Sequence, residues 1–260
     1  MSSRFLSFVL LAMSATVASA GERELRICAD PDNLPYSRED QSGFENRIAR
    51  LVADEMGATL HYEWLPQIRG YVRKTLGANL CDVFVGVPAR FERVLPTRPY
   101  YRSSYVFVQR SADEPVTSFD DERLRHLRIG LQLIGNDLAA TPPGHVLAER
   151  GITENVAGFV VMGEHPAAQR IVDAIARNDL DLGLVWGPQA GYFASHASVP
   201  MTVTLANPPK DAPPFEFAMA MGVRRGDRAL RDELNGILER RRADIDAILV
   251  QYAVPRVGAP

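Results

Sequence analysis

The ten residues CADPDNLPYS, Cys28 to Ser37, place two carboxylates, an amide and a phenol directly after the apolar run LRIC. Such a stretch is built to touch something rather than to pack. Asp30 and Asn33 can hydrogen-bond a ligand or cap a turn through Asx bonds, and both readings stand at this point. Tyr36 is expected to face a cleft. The acids Asp30, Asp32, Glu39 and Asp40 lack the alternating D-x-D-x-D-G run and closing Glu of a calcium loop, so no metal is expected. The five histidines, His61, His126, His145, His165 and His196, show no H-x-x-x-H spacing. No G-x-S-x-G nucleophile turn occurs, and SHAS (Ser195–Ser198) reads as a loop. With no Cys–His arrangement and no nucleotide loop, the expectation is a binding protein, not an enzyme, and without a cofactor.

The elements that must position these residues follow from periodicity. LRICAD reads as a buried strand. SGFENRIARLVADEMG reads as a helix, with Ser42 and Glu45 as an S-x-x-E capping box and Gly57 as its stop. Phe44, Ile48, Leu51, Val52 and Met56 recur at helical spacing. TLHYEW alternates as a strand, RGYVRKTLGANL is a short helix, and CDVFVGVP is a parallel-type strand. After YYRSSYVFVQR a second β-α-β-α-β unit begins: LRIGLQLI, PPGHVLAERG, VAGFVVMG, HPAAQRIVDAIARND and LDLGLVW. A strand FEFAMAMGV and a long helical region over Asp227–Val254 complete the chain, with PRVGAP as a loose tail.

Two α/β units joined by extended segments imply two lobes around a cleft, with two crossovers acting as a hinge. The expected division is residues 21–104 with 212–260 for one lobe and 105–211 for the other. Ligands of open parallel sheets sit beyond the carboxyl ends of the strands. Those ends carry Asp30, Asn33 and Tyr36, then Trp64, Gln67 and Arg69, then Pro88, Arg90 and Arg93, then Gln132 and Asn136, then Trp186, Gly187 and Pro188. Gly187 and Pro188 are read as a tight turn. Tyr100 and Tyr101 fall at the hinge, where core packing is the favoured reading, and Tyr192 and Phe193 are read as helix packing.

Composition bounds the partners. The chain has 260 residues, 46% hydrophobic and 23% charged, with a formal net charge of -3. That balance shows no basic stripe for a nucleic acid, and the run ERRRAD (Glu239–Asp244) reads as a solvated helix face. Residues 1–20 combine a basic start, the apolar core FLSFVLLAM and an A-x-A site before Gly21, the pattern of a cleavable secretory signal. Export to the periplasm, with no membrane span in the mature chain, is expected. Export permits a disulfide between Cys28 and Cys81. Parallel neighbours staggered by three residues stand about 10 Å apart, beyond the roughly 7 Å a disulfide bridges. Two unpaired thiols would be unusual in an exported chain, so both states remain open.

The order of units after a signal peptide resembles the bilobal solute-binding proteins of bacterial importers, family 3. More narrowly, LRICADPDNLPYS, GFENRIARLVADEMG, CDVFVGVPA, TRPYYRSSYVFV and DLGLVWGPQAGYFA resemble the MoxJ/XoxJ branch, which is associated with quinoprotein (PQQ-dependent) alcohol and methanol dehydrogenases. The resemblance implies a periplasmic-binding-protein-like fold of type II and a PQQ-dependent alcohol dehydrogenase, or its cytochrome, as partner. The alternative it implies is a receptor that hands a small solute to an ABC permease. Departures from amino-acid receptors matter as much. Their G-x-x-I-T-x-x-R run is similar to GVPARFER here: Arg93 keeps its distance from Gly86, Arg90 is an alternative occupant, and Pro88 and Ala89 replace the hydroxyls. Where their second lobe carries an ammonium-binding Asp, LDLGLVWGP places Trp186. Trp186 as a plain core residue is the competing reading. An aromatic wall there suits a flat or apolar ligand, or a protein segment, better than an α-amino acid.

Overall fold

The computed structural model describes residues 23–134, 139–160 and 165–259. The first half runs β1 (Glu24–Ala29), β2 (Asp32–Asn33), β3 (Ser37–Arg38), α1 (Phe44–Met56), β4 (Thr59–Trp64), α2 (Tyr71–Lys74), β5 (Val83–Pro88) and β6 (Leu95–Pro96). The long strand β7 (Tyr101–Arg110) leads into β8 (Ile129–Ile134), β9 (Ala139–Ala140), α3 (Pro142–Glu149), β10 (Val156–Phe159), α4 (Ala167–Ala176), β11 (Leu182–Trp186), α5 (Gly187–Ser195) and β12 (Met201–Leu205). The chain returns through β13 (Glu216–Val223) and closes with α6 (Arg228–Arg240) and α7 (Arg242–Gln251). The expected signal segment and Asn136 lie outside the described residues.

Eight strands form the path β10-β8-β11-β7-β13-β5-β1-β4, with β12, β6 and β9 paired off it to β7, β13 and β8, and β2–β3 as a separate hairpin. Each half holds a parallel trio, β4-β1-β5 and β10-β8-β11, as the two β-α-β-α-β patterns require. The trios meet through an antiparallel pair. β7 pairs with β13 over Tyr101–Ser104 and with β11 over Tyr105–Val108. The backbone therefore passes between halves at two adjacent strands.

Each half ends its sheet with the same ionic device. Arg26 donates from Nε and Nη2 to Asp82 at 2.9 and 2.7 Å, and from Nη1 to the carbonyl of Asn79. Arg128 does the same to Asp181, at 2.9 and 2.6 Å, and to the carbonyl of Asn178. Asn79 and Asn178 both take left-handed φ, 61° and 65°, the conformation Asn tolerates best after Gly. A second guanidinium completes each site, Arg224 on Asp82 and Arg110 on Asp181.

Several expectations are corrected. The α1 cap is Gly43, not Ser42: Asn46 Oδ1 accepts the Gly43 and Arg38 amides at 3.1 and 3.0 Å. The Tyr36 carbonyl approaches so closely that a Cβ on Gly43 would lie 2.1 Å from it. This close approach lets the carbonyls of Pro35 and Tyr36 accept the first helical amides, from Phe44 and Glu45. Gly187 and Pro188 are not a turn but the buried first residues of α5. The long C-terminal helix breaks at Arg241, which binds Glu55 and Asp244 and redirects Ile245, Ile248 and Leu249 into the core already filled by Leu234, Ile237 and Leu238.

Nor is the tail loose. The Val257 amide donates to Arg102 O, Ser103 Oγ donates to Pro255 O at 2.6 Å, and Arg102 Nε donates to Ala259 O. A cavity of about 370 Å³ remains behind it, lined by residues that include Arg102, Arg242, Asp246 and Arg256. Finally, Cys28 and Cys81 are bonded, with their Cα atoms 5.3 Å apart. The stagger argument fails because Cys81 precedes β5. The chain comes in across the face of β1 before Val83 settles opposite Ile27.

Candidate functional site

The loop after β1 is held by its own candidate residue. Asp30 Oδ1 accepts the Asp32 amide at 2.9 Å, and Oδ2 accepts the Gln67 amide at 2.6 Å. Asp30 thereby ties the ends of β1 and β4 together, and both oxygens are engaged. Asn33 lies in the β2–β3 hairpin, where its carbonyl accepts the Tyr36 amide. Trp64 stacks on Tyr62, with centroids 4.6 Å apart and planes 15° apart. Gln67 and Arg69 are exposed. Gln132 sits on β8 opposite Phe159, with its Oε1 buried and unpartnered among the described residues.

Arg93 separates from this group, while Arg90 stays in the turn just beyond β5. Pro88 is exposed at the end of β5, opposite Met219 of β13. Beyond it the chain doubles back along β13 until Leu95 stands opposite Val223, the residue that also faces Val83 at the start of β5. The Glu92 carbonyl accepts from Arg225, beyond that same end. Arg93 thus lies toward the start of the strand, while Tyr36 and Trp64 lie with the strands' carboxyl ends. Arg90 and Arg93 are both exposed, and neither has a hydrogen bond or ion pair among the described residues.

What the structure brings together is aromatic. Trp186, the last residue of β11, packs against the cores of both halves. Its ring meets Tyr105 at 5.3 Å and Phe217 at 5.7 Å, both edge-on. Tyr36, from the opposite half, lies close enough for the Trp186 side chain to ease ionisation of its hydroxyl. Burial raises the Tyr36 hydroxyl well above its usual range, with the Trp186 contact pulling the other way. Tyr36 packs edge-on to Phe44 at 5.4 Å. A second bridge between halves is the stack of Tyr192 on Tyr252, 5.8 Å apart.

One residue at this place was missed by its motif. Glu45, read as half of a capping box, is spared that task by Asn46. Its carboxyl lies against β5 so closely that a Cβ on Gly86 would stand 2.0 Å from Oε1. Glu45 is half-buried, and its carboxyl has no hydrogen-bond partner among the described residues. Desolvation lifts it from 4.5 to about 8, so at neutral pH the group is mostly protonated. Near it, Tyr101 Oη is buried without a partner, whereas Tyr100 Oη donates to Val85 O at 3.0 Å. No group of three or more His, Cys, Asp or Glu that could hold a metal occurs among the described residues.

A model of the bacterial extracellular solute-binding proteins, family 3, matches residues 25–254. The chain belongs to this family. Among its relatives, MoxJ of Methylorubrum extorquens strain AM1 is 33% identical over 262 residues, 93% of this chain and 84% of that protein. The crystal structure of the periplasmic binding protein XoxJ from Methylobacterium extorquens AM1 is 36% identical, with a TM-score of 0.76 over 90% of this chain and 99% of that one. MxaJ from Methlophaga aminisulfidivorans MPT is 26% identical, with a TM-score of 0.79 over 90% and 100%. The MoxJ/XoxJ-like resemblance and the bilobal type II solute-binding fold are therefore shown. No helix among the described residues is long and apolar enough to cross a membrane.

Proposed function

We propose that this chain is a non-enzymatic periplasmic protein that serves a quinoprotein alcohol or methanol dehydrogenase, holding an exposed segment of the dehydrogenase or its cytochrome in the cleft during assembly or activation. The observation that carries this reading is Trp186. It stands where amino-acid receptors of the family place an Asp, and it joins Tyr36, Tyr105 and Phe217 in an aromatic wall shared by both halves. The position of Arg93, away from the strands' carboxyl ends, supports the same reading, since an α-amino acid would lack its carboxylate fork. So do the MoxJ, XoxJ and MxaJ relatives. The lobes are taken as residues 21–104 with 212–260, and 105–211. The hinge is taken as β7 and β13, and residues 1–20 as the signal for export.

A second reading, a receptor delivering a small organic solute to an ABC permease, has family membership in its favour. A pull-down from periplasmic extract with the mature protein and a Trp186→Ala control separates the two. Capture of a quinoprotein dehydrogenase that is lost in the variant supports the accessory role. A retained small molecule with no captured protein supports the receptor.

A further inference from the structure

The cavity of about 370 Å³ behind the C-terminal tail has a charged lining. Arg102 comes from the start of β7, Arg242 and Asp246 from α7, and Arg256 from the tail itself. Asp30, Tyr36, Trp64 and Trp186 do not line it, so this cavity is not the cleft. Arg242 and Arg256 are exposed, which leaves the cavity open to a solute on their side. A volume of this size is within the range that takes small molecules.

Three guanidiniums here meet a single carboxylate, which leaves a net charge of +2 among the charged lining residues. Asp246 is engaged on both oxygens. Its Oδ1 accepts from Arg256 Nη1 at 2.6 Å, and its Oδ2 accepts from Arg242 Nε at 3.4 Å. Arg102 Nε donates to the Ala259 carbonyl at 3.1 Å. Each guanidinium thus spends one nitrogen, and the others have no partner among the described residues. The acids nearest in sequence and on the facing helix do not relieve the excess, because Asp244 and Glu55 both bind Arg241. A planar guanidinium fork matches the oxygens of a phosphate or a carboxylate.

We propose that Arg102, Arg242 and Arg256 form a site for a doubly charged oxyanion, a phosphate group or a dicarboxylate, in the cavity behind the tail. Two negative charges neutralise the excess that Asp246 leaves. Asp246 itself aligns Arg242 and Arg256 and repels the anion, so its charge weakens binding. A bound anion joins Arg102 on the strand that passes between the halves to Arg256 on the tail, and so reinforces the bond from the Val257 amide to Arg102 O. The tail it secures also lies against the other half, where a Cβ on Gly191 would stand 1.9 Å from Ala253 O and one on Gly187 3.6 Å from Pro255. The site does not depend on what the cleft holds.

The test is isothermal titration calorimetry of the mature protein with inorganic phosphate, succinate and acetate at pH 8 and low, matched ionic strength. At least one dianion is expected to bind saturably at one site, about tenfold or more tighter than acetate, and to weaken as salt is added. Tighter binding of phosphate than of succinate assigns the site to a phosphate group, and the reverse to a dicarboxylate. Arg102→Gln and Arg242→Gln are each expected to weaken binding about tenfold. Asp246→Asn is expected to tighten it several-fold, a change of sign that mere loss of packing would not produce. Hydrogen exchange at the Val257 amide is expected to slow when the tighter dianion saturates the wild type. No binding of either dianion at millimolar concentration, equal affinity for acetate, unchanged affinity in folded Arg102→Gln and Arg242→Gln, or Val257 exchange that does not slow at saturation overturns the proposal. The titration contains no dehydrogenase and leaves the cleft untouched, so its failure and the failure of the accessory role are separate results.

Discussion

Burial without a counter-charge gives Glu45 a stability cost that grows with pH. The folded protein holds the Glu45 proton up to about pH 8, while the unfolded chain loses it near 4.5. Stability therefore falls as pH rises through that window and is flat above it. At about 1.4 kcal/mol per pH unit, the loss has an upper bound of roughly 5 kcal/mol. Asp181 works in the opposite sense. Arg128 holds its carboxyl down at about 2, against 3.8 in the free chain, so its contribution is present above 3.8 and lost as pH falls toward 2. Thermal melts across pH should show a maximum near 4.5, a decline toward 8, and no decline in Glu45→Gln. A wild-type midpoint that stays flat from pH 5 to 8 would show that Glu45 is ionised in the folded state. Trp186 stood out in the sequence because it replaced an expected acid. Glu45 did not, because S-x-x-E is satisfied by a cap, and only the approach of Tyr36 to Gly43 shows that Asn46 caps instead.

Periodic elements were legible for a local reason. Phe44, Ile48 and Val52 recur at helical spacing and are all buried, and the apolar run of β5 needs no distant partner to read as a strand. Features that depend on contact between distant segments were not legible. The docked tail is one: Val257 reaches Arg102 across most of the chain. Gly191 lies under this tail, where a Cβ would stand 1.9 Å from Ala253 O. Gly191→Ala should therefore cost roughly 1–3 kcal/mol by overpacking, seen in denaturant melts, and should speed amide exchange at Val257. Unchanged exchange would mean the tail is not held there. The disulfide is another such feature. It closes a separation of 53 residues, so its loss in Cys28→Ala/Cys81→Ala should cost roughly 4 kcal/mol, read as a lower urea midpoint. A midpoint unmoved by reduction would contradict this.

At the scale of the whole molecule, we propose that the two lobes, joined by adjacent antiparallel strands, close by rotation about that pair. Trp186 with Tyr36, and Tyr192 with Tyr252, are the contacts such a motion would break. Paired distance labels on the two halves should shorten or lengthen when a ligand enters, and unchanged distances would mark a rigid cleft. The β-α-β-α-β repetition made this architecture readable in advance. The fate of Arg93 was not, since spacing from Gly86 says nothing of a loop that doubles back along β13. The most direct test of the accessory role is to titrate purified methanol dehydrogenase from the same bacterium against the mature protein and against Trp186→Ala. The account predicts saturable binding to the wild type, weakened at least tenfold in the variant. Absence of binding, or equal affinity for both, would contradict it.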